Sequence, residues 1–410
     1  MMLTEQERID LMTELSIELG QVQDLDILME HILTKARMVA NADAGSIYIR
    51  EKNCLRITFT QNDTLQGRLK SGEKLIYSSF YIKINKESIA GYVAVTGELM
   101  NIKDVYHIDP SKSYHFNEHV DHKADYQTKS MLTIPLKQFN GEVLGILQII
   151  NARDAQGHDT VFSREDEKIM CHFAATASMA LERAKITRTI LLRMVHMAEL
   201  RDPRETGAHV NRVAAYATEI YEGWALRRKL DRKKIDQIRD RLRIAAMLHD
   251  VGKVGISDLI LKKPGKLTPE EYEIMKAHTS IGKRLFINKA SDYDDDAMEV
   301  ALSHHERWDG TGYPGYVDDT HAPIPGKVDA NGKPLIKKGK DIPLFGRIVA
   351  VADVYDALCS RRVYKEAWDD GRVNTVMRKN AGSHFDPELV DIFFERMNII
   401  HFIRDRYRDV

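Results

Sequence analysis

From Ser163 to Asp202 the chain contains neither glycine nor proline, and this uninterrupted stretch separates two differently patterned halves. Mostly apolar residues recur in it at alternating steps of four and three, the period of one helical face; they are Phe173, Ala177, Ala180, Ala184, Thr187, Leu191, Met194 and Ala198. The pattern predicts one helix longer than those usual in globular domains, although two helices with a frayed junction would give the same period. Such a helix, expected at about 165–200, is typical of a rigid connector or of a seam between two copies of a chain.

The residues before this helix have the pattern of an α/β unit, which is expected to occupy residues 1 to about 185. An amphipathic helix comes first, with apolar positions at Leu25, Leu28, Ile32, Ala36 and Val39. Four short runs then predict strands, at 45–49, 55–60, 130–136 and 143–150. Asn140-Gly141, between the last two runs, is typical of a hairpin turn.

The second half, residues 195–410, is expected to be almost entirely helical. Thr268-Pro269-Glu270-Glu271 predicts a helix start, because threonine can cap the first turn, proline fits its first position and glutamate completes a capping box. The helical pattern is broken from about 316 to 341, where glycine, proline, aspartate and lysine are frequent. This segment is interpreted as an inserted loop or small hairpin.

Composition restricts the partners and the compartment. A chain of 410 residues is long enough for two or three domains, and its net charge of -1 provides no global field to recruit nucleic acid or an anionic membrane. No apolar run reaches the ~20 residues that a membrane helix requires, and the first residues lack the apolar block of a signal peptide. Cys54, Cys171 and Cys359 are too widely spaced for a disulfide framework. We therefore expect a reduced, cytoplasmic protein without nucleic-acid binding or membrane insertion.

Metal-ligating residue types are concentrated in the second half. His304 and His305 are adjacent and open a segment that closes on a turn rich in glycine and proline, Gly312-Tyr313-Pro314-Gly315. The other candidates are Glu205 and His209, which are four residues apart and so on one helix face, with His249, Asp250, His278 and Asp353. Most of these residues are weak evidence for a metal site when taken alone, because charged pairs usually line a solvated face and a single histidine is usually an ordinary core or surface residue. A carboxylate at Asp353, inside an apolar helix, is costly unless it is paired or bound to a metal.

Together these five histidines and three carboxylates predict a metal centre assembled from several helices. Nitrogen and oxygen ligands without thiolate suit iron, manganese or zinc, and the set exceeds what one ion requires. Two or three ions are expected, an arrangement that activates water and clamps the attacking and leaving oxygens of a phosphodiester. The chemistry indicated is metal-dependent hydrolysis.

Residues 200–390 resemble the HD-GYP phosphodiesterases, a branch of the HD hydrolase superfamily with an all-α catalytic domain. The resemblance rests on the order and spacing of short motifs: Glu205-Thr206-Gly207-x-His209-x-x-Arg212, His249-Asp250-Val251-Gly252-Lys253, Lys263-Pro264-Gly265-Lys266-Leu267-Thr268, His278-Thr279, His304-His305-Glu306, Gly312-Tyr313-Pro314, Ile342-Pro343-Leu344, Ala352-Asp353-Val354-Tyr355-Asp356-Ala357-Leu358, Arg362-x-Tyr364-Lys365 and His384-Phe385-Asp386-Pro387. It implies hydrolysis of cyclic di-GMP to linear pGpG, and often on to GMP. Every ligand position is intact, which argues against a non-catalytic copy.

The resemblance also implies roles for individual residues. Two or three metal ions per chain, with iron favoured and manganese left open, would be held by Glu205, His209, His249, Asp250, His278, His304, His305 and Asp353. Asp250 would also be catalytic, and Glu205 is associated with a third ion. Lys253 would stabilise developing charge on a phosphate oxygen. Substrate contacts would come from Tyr313, Arg362 and Lys365.

Several alternatives stay open at this point. The same chemistry could hydrolyse a mixed cyclic GMP-AMP dinucleotide, or the Gly-Tyr-Pro surface could hold a partner such as a diguanylate cyclase without catalysis. A nucleotide phosphatase of the wider HD group is disfavoured, because such sites lack the second pair of histidines. The insertion at about 316–341, short in most of the family, is either a tolerated surface loop or a lid or partner contact that alters substrate access.

Residues 1–185 resemble a GAF domain, a small-molecule sensor with an antiparallel sheet and flanking helices. The match lies in the helix–strand order, in the segment 89–97 and in the strand pair 130–136 and 144–148. Asn151 and Phe162-x-x-x-Asp166-Glu167 match a signature of cyclic-nucleotide-binding GAF domains, but Ala152 replaces its lysine and the same residues can simply start a helix. The architecture predicted is multidomain: a GAF sensor for an unidentified small ligand, a connecting helix and an HD-GYP domain, in a homodimer.

Overall fold

The computed structural model describes residues 5–69, 74–75, 80–199, 207–359 and 368–408. The chain divides into two compact units, with the boundary between Arg188 and Thr189. None of the described helices is long and apolar enough to cross a membrane.

The described part of the first unit is an antiparallel sheet flanked by helices. Its strands are β1 (Ala42–Glu51), β2 (Cys54–Asn62), β3 (Tyr81–Lys83), β4 (Met100–Ile102), β5 (Met131–Lys137), β6 (Val143–Arg153) and β7 (Asp159–Thr160). Its helices are α1 (Glu5–Gln21), α2 (Leu25–Val39), α3 (Asp63–Gln66), α4 (Ile89–Thr96), α5 (Glu118–Ala124) and α6 (Arg164–Glu199), with a 3₁₀ turn at Val105–His107. The sheet order is β3-β2-β1-β6-β5-β4, and β7 pairs with β6. The four predicted strands and the hairpin between β5 and β6 are confirmed.

Alternation along the strands sends side chains to two cores. Ile47 of β1 faces a core that the sheet shares with α2 and α6, together with Leu28, Ile32, Leu147 and Phe173. The next residue, Tyr48, faces the opposite side, where α4 covers the sheet with Ala90 and Val93. The sheet is therefore buried on both faces, which explains why its strands are mostly apolar rather than strictly alternating.

Helix α6 is continuous over 36 residues, as the uninterrupted period predicted. The suggestion that its periodic face forms a seam between copies is wrong for the first half of the helix. Phe173, Ala177, Ala180 and Ala184 are buried in the core of the first unit, where apolar neighbours already cover them. A different set is exposed, and it consists of Met179, Ile186, Ile190 and Met197.

The described part of the second unit is helical, as predicted. Its helices are α7 (Gly207–Arg227), α8 (Arg232–Met247), α9 (Asp258–Leu261), α10 (Pro269–Lys276), α11 (His278–Arg284), α12 (Asp292–Ser303), α13 (Leu344–Cys359), α14 (Asp370–Lys379), α15 (Pro387–Glu395) and α16 (Met397–Arg406). Short 3₁₀ turns lie at Val251–Gly255 and Gly339–Asp341. The predicted start of α10 is confirmed, since Thr268 and Glu271 form a reciprocal capping box.

One apolar core holds the long helices of this unit together. Helices α7, α8, α12, α13 and α15 contribute Val213, Leu242, Val300, Val349 and Phe393, all fully buried. Because such a core resists displacement, it fixes the positions of the helix ends that carry the polar residues described next.

Candidate metal centre

Most of the predicted ligands come from helix ends or helix interiors that meet at one place. His209 lies near the start of α7, and His249 and Asp250 follow α8 directly. His278 is the first residue of α11, His304 and His305 follow α12, and Asp353 lies within α13. Glu205, Arg362 and Lys365 are outside the described residues, so their predicted roles stay predictions.

Asp250, His278, His304 and His305 form the first cluster, in which one potential ligand atom from each lies within 4.8 Å of the others. Asp250 Oδ1 is 3.3 Å from His278 Nε2 and 3.5 Å from His304 Nε2. These separations are longer than a usual hydrogen bond, and these atoms make none, so they suit an arrangement around an ion.

His209, His249 and Asp353 form the second cluster by the same criterion. Asp353 Oδ1 is 3.7 Å from His209 Nε2 and 4.0 Å from His249 Nε2. Asp250 also faces this cluster, because its other oxygen, Oδ2, is 3.4 Å from His249 Nε2. One carboxylate therefore lies between two adjacent ligand clusters.

Hydrogen bonds at the far ring nitrogen fix the orientation of four imidazoles. Nδ1 of His249, His278 and His304 lies 2.8, 2.7 and 3.0 Å from the backbone carbonyls of Ala246, Met275 and Val300. Because a carbonyl only accepts, Nδ1 must carry the proton, and the lone pair of Nε2 is left to bind a metal. His209 is held in the same way by Asp356, whose Oδ2 is 2.8 Å from His209 Nδ1.

The residues present fit metal ions. Among the described residues, Nε2 of His278, Nε2 of His304 and Oδ1 of Asp250 are buried without a hydrogen-bond partner, a costly state that bound cations would relieve. Imidazole and carboxylate without thiolate is a ligand set suited to iron, manganese or zinc. Burial lowers the pKa of His304 and lowers that of His305 well below its usual value, which keeps both rings neutral and able to ligate near pH 7.

Lys253 lies beside the shared carboxylate, with Nζ 2.7 Å from Asp250 Oδ2. Burial by itself would raise the pKa of Asp250, but the Lys253 ammonium and His249 hold it well below its usual value. Asp250 is therefore ionised, as a metal ligand must be.

Tyr313, the predicted substrate contact, lies against the first cluster. Its ring stacks on that of His305, with centroids 4.9 Å apart and an interplanar angle of 28°. The ring of His278 meets it edge-on at 6.3 Å. The aromatic face of Tyr313 therefore supports the imidazole of His305 and borders the space beside the first cluster.

Glu306 and Gly312, in the segment that begins at His304, stabilise the turn that closes this segment. Glu306 is 2% exposed, and its Oε1 accepts a hydrogen bond from Gly315 N at 2.7 Å. Burial raises the pKa of Glu306 to about 7. Gly312 is required by a close approach of backbone to backbone, since a Cβ there would lie 2.3 Å from Arg307 N. The glycine at this position therefore serves the packing of the turn against its own backbone.

The insertion is anchored to the elements that carry the site. Gly339 N donates to Trp308 O at 2.9 Å, and within the segment Tyr316 N donates to Leu335 O at 2.9 Å. On its other side, His321 Nδ1 lies 2.8 Å from Ser280 Oγ, in the helix that begins with His278. Two small antiparallel bridges, Val317–Pro323 and Val328–Pro334, give the segment its shape. Its effect on substrate access stays a prediction.

Asp356 and Arg212 are the functional residues that the sequence reasoning did not assign. The Asp356 carboxylate is 1% exposed and receives hydrogen bonds from Arg212 Nε at 2.6 Å and Nη2 at 2.9 Å. Burial opposes its ionisation, yet hydrogen bonds from His209 and Arg212 lower the pKa of Asp356 to about 2. The signal was present, because Asp356 is an acid three residues after Asp353 in the same apolar helix.

The Asp356→Asn variant is expected to bind metal at the second cluster about 10 to 100 times more weakly, the usual cost of losing a carboxylate that orients a ligating histidine. Metal competition titrations on wild type and variant would measure this. Asp370→Asn is the matched control, since Asp370 also pairs with an arginine, Arg404, at 2.6 Å but pairs with none of the predicted ligands that the structure describes. Unchanged affinity in Asp356→Asn would show that Asp356 does not orient His209.

The first unit contains a cavity of about 630 Å³ that is lined by polar groups, among them Asp43, Arg68, Asp121, Tyr126, Asn151 and Arg153.

Two residues of the cyclic-nucleotide signature, Asn151 and Asp166, have hydrogen-bond partners within the first unit. Asn151 Nδ2 donates to the Tyr126 hydroxyl and to Gln127 O, at 2.9 and 2.8 Å. Asp166 accepts from Ser163 N at 2.7 Å, as a residue that starts a helix would. These contacts explain the signature residues without a nucleotide.

Comparison with known proteins agrees with the two units. The family model of the GAF domain matches residues 24–181, and that of the HD domain matches residues 206–358. The chain therefore carries a GAF domain followed by an HD domain, as the resemblances predicted.

Curated bacterial proteins are similar over part of the chain. A probable cyclic di-GMP phosphodiesterase of Vibrio cholerae is 39% identical over 227 residues, which cover 53% of this chain and 46% of that protein. The 3'3'-cGAMP-specific phosphodiesterase 2 of the same species is 32% identical, covering 60% and 43%. A cyclic di-GMP phosphodiesterase of Thermotoga maritima is 37% identical, covering 52% and 50%. This chain thus spans about half the length of the curated relatives it matches, or less.

Proposed function

We propose that the second unit hydrolyses cyclic di-GMP to linear pGpG, and on to GMP, under the control of the GAF domain. The observation that carries this proposal is the position of Asp250 between two ligand clusters, with Lys253 Nζ 2.7 Å from the same carboxylate. The relatives named as cyclic di-GMP phosphodiesterases support it.

The residues around the clusters have separate tasks. Metal ions bound in the two clusters would supply the Lewis-acid chemistry that phosphodiester hydrolysis needs. The imidazoles and the ionised Asp250 would hold the ions, while the Lys253 ammonium would place positive charge where a phosphate oxygen gains negative charge. Tyr313 borders the substrate space through its contact with His305.

We infer iron as the metal because the resemblance to the HD-GYP phosphodiesterases favours it, and manganese is the alternative because the ligand set suits it as well. Two ions correspond to the two clusters of described residues. A third ion would depend on Glu205, which lies outside them.

A comparison of substrates tests the activity. The purified chain, loaded anaerobically with Fe(II) or Mn(II), would receive cyclic di-GMP, 3'3'-cGAMP or cyclic di-AMP at equal concentration, with products separated by chromatography. We expect cyclic di-GMP to be consumed fastest, with pGpG appearing first. Hydrolysis of none of the three by metal-loaded protein would contradict the proposal.

The second candidate is hydrolysis of 3'3'-cGAMP at the same site. A relative that is 32% identical and named as specific for this dinucleotide favours it. Faster turnover of 3'3'-cGAMP than of cyclic di-GMP in the same comparison would establish this candidate in place of the first.

We also propose a homodimer, joined through the exposed stripe of α6 formed by Met179, Ile186, Ile190 and Met197. These side chains are 53–68% exposed. Their steps of seven, four and seven match positions of a heptad seam, which a second copy of the same helix would cover.

Ile186→Glu combined with Ile190→Glu is expected to convert the dimer to a monomer, because it places four like charges at the centre of the seam. Light scattering after size exclusion would report the mass. The control carries glutamate at Lys185 and Thr189, which are exposed but off the stripe. A wild-type monomer, or a double variant that stays dimeric, would contradict the proposed seam.

The GAF domain would act as the sensor of an unidentified small ligand, for which the cavity of about 630 Å³ offers a space in the first unit. Because Asn151 and Asp166 have partners within the unit, their match to the signature does not assign a cyclic nucleotide as that ligand.

A further inference from the structure

We propose that Tyr272 and Lys276 form a guanine-recognition subsite beside the metal centre. The two residues are four apart on α10 and therefore share one face of that helix. The inference rests on the proposed function, because it requires a cyclic dinucleotide whose phosphate lies at the ligand clusters.

A row of aromatic rings leads from the metal ligands toward the surface. The ring of His305 stacks on Tyr313 at 4.9 Å, and Tyr313 meets Tyr272 edge-on at 6.1 Å and 78°. Tyr272 is 45% exposed at the end of the row. Because a nucleotide joins its phosphate to a planar base, a phosphate at the clusters would bring a base to these rings. Stacking of bases on aromatic side chains is favourable and tolerates any base.

Lys276 adds selectivity to this row. Its Nζ lies 5.1 Å from the centroid of Tyr272 and 5.7 Å from that of Tyr313, so both rings hold the ammonium by cation–π attraction. Glu273 Oε1 is 2.7 Å from the same Nζ and limits how far it can move. The Lys276 side chain is 20% exposed, which leaves the ammonium within reach of a ligand.

The chemistry of an ammonium selects guanine over adenine. Guanine presents two neighbouring acceptors, O6 and N7, whereas adenine presents N7 beside the donor N6 amino group. Because lysine has donors only, it can satisfy the guanine edge and is opposed by the adenine amino group. Tyr272 would thus contribute affinity for any base, and Lys276 would contribute preference for guanine.

Kinetics of two variants and a control test the two roles. Lys276→Met, Tyr272→Ala and the control Lys262→Met would be assayed with cyclic di-GMP and 3'3'-cGAMP at equal metal content. Lys262 is also paired with a nearby acid, Asp258, at 3.1 Å. We expect Lys276→Met to lower kcat/KM for cyclic di-GMP by about tenfold, mainly through KM, and to lower it less for 3'3'-cGAMP. Tyr272→Ala should raise KM for both dinucleotides, while Lys262→Met should match wild type.

The outcomes separate the subsite from the activity. Wild-type hydrolysis together with unchanged kcat/KM for both dinucleotides in Lys276→Met would overturn the subsite alone. An equal loss for both substrates in that variant would overturn the guanine preference. Failure of the wild type to hydrolyse either dinucleotide would overturn the proposed function and the subsite with it.

Discussion

The Asp250→Asn variant is expected to lose metal from both clusters and to lose activity by roughly a hundredfold to a thousandfold, because Lewis-acid stabilisation contributes several kcal/mol. Asp250 Oδ1 faces His278 and His304, and Oδ2 faces His249, at 3.3–3.5 Å. Removing one charge therefore weakens both clusters at once. Metal content per chain and turnover of cyclic di-GMP would be measured on the same sample.

Asp258→Asn is the matched control for this experiment. Asp258 is an exposed acid in the same part of the chain, paired with Lys262. We expect it to keep wild-type metal content and turnover, and circular dichroism would verify that both variants are folded. Wild-type metal content in folded Asp250→Asn would contradict the shared position of this carboxylate.

The Lys253→Met variant is expected to retain its metal ions but to lose about 10²–10³ in kcat, the usual cost of removing one group that stabilises transition-state charge. Its Nζ contacts Asp250 Oδ2, and its side chain is 17% exposed, so the ammonium lies at the edge of the centre rather than within a cluster. Single-turnover kinetics at saturating substrate would isolate the chemical step.

Two further variants distinguish a role of the Lys253 charge from a general effect of the substitution. Lys253→Arg, which keeps the positive charge, should recover part of the activity, and Lys262→Met should behave as wild type. A parallel loss of metal and activity in Lys253→Met would mean that Lys253 acts by holding Asp250, and the assignment of its charge to the substrate would be wrong.

Much of the fold could be predicted from local pattern. The long helix α6, the strands β1, β2, β5 and β6 and the capped start of α10 all follow from short-range periodicity or turn chemistry. Which apolar face of α6 is buried within its own unit could not be predicted, because periodicity identifies an apolar face but not what covers it. Phe173 and Ala177 pack within their own unit, whereas the exposed Ile186 and Ile190 do not follow the strongest period.

The metal centre likewise has features that the sequence predicts and features that depend on the tertiary fold. Residue type and motif order predicted the ligand set, but His209 and Asp353 are 144 positions apart in the chain, and only the tertiary fold brings Nε2 and Oδ1 to 3.7 Å. Asp356 was missed because an acid that orients a ligand has no spacing rule of its own. The anchoring of the insertion through His321 and Gly339 likewise depends on contacts that its loop-like composition does not reveal.

Metal content and turnover, determined together on one anaerobic sample of wild type and of His305→Ala, test the central claim most directly. His305 belongs to the first cluster and supports the ring of Tyr313. The account predicts two or more metal ions per wild-type chain, formation of pGpG from cyclic di-GMP, and loss of both metal and product in the variant. Wild-type protein that carries a full complement of metal and hydrolyses no cyclic dinucleotide, or a variant that keeps full activity, would contradict it.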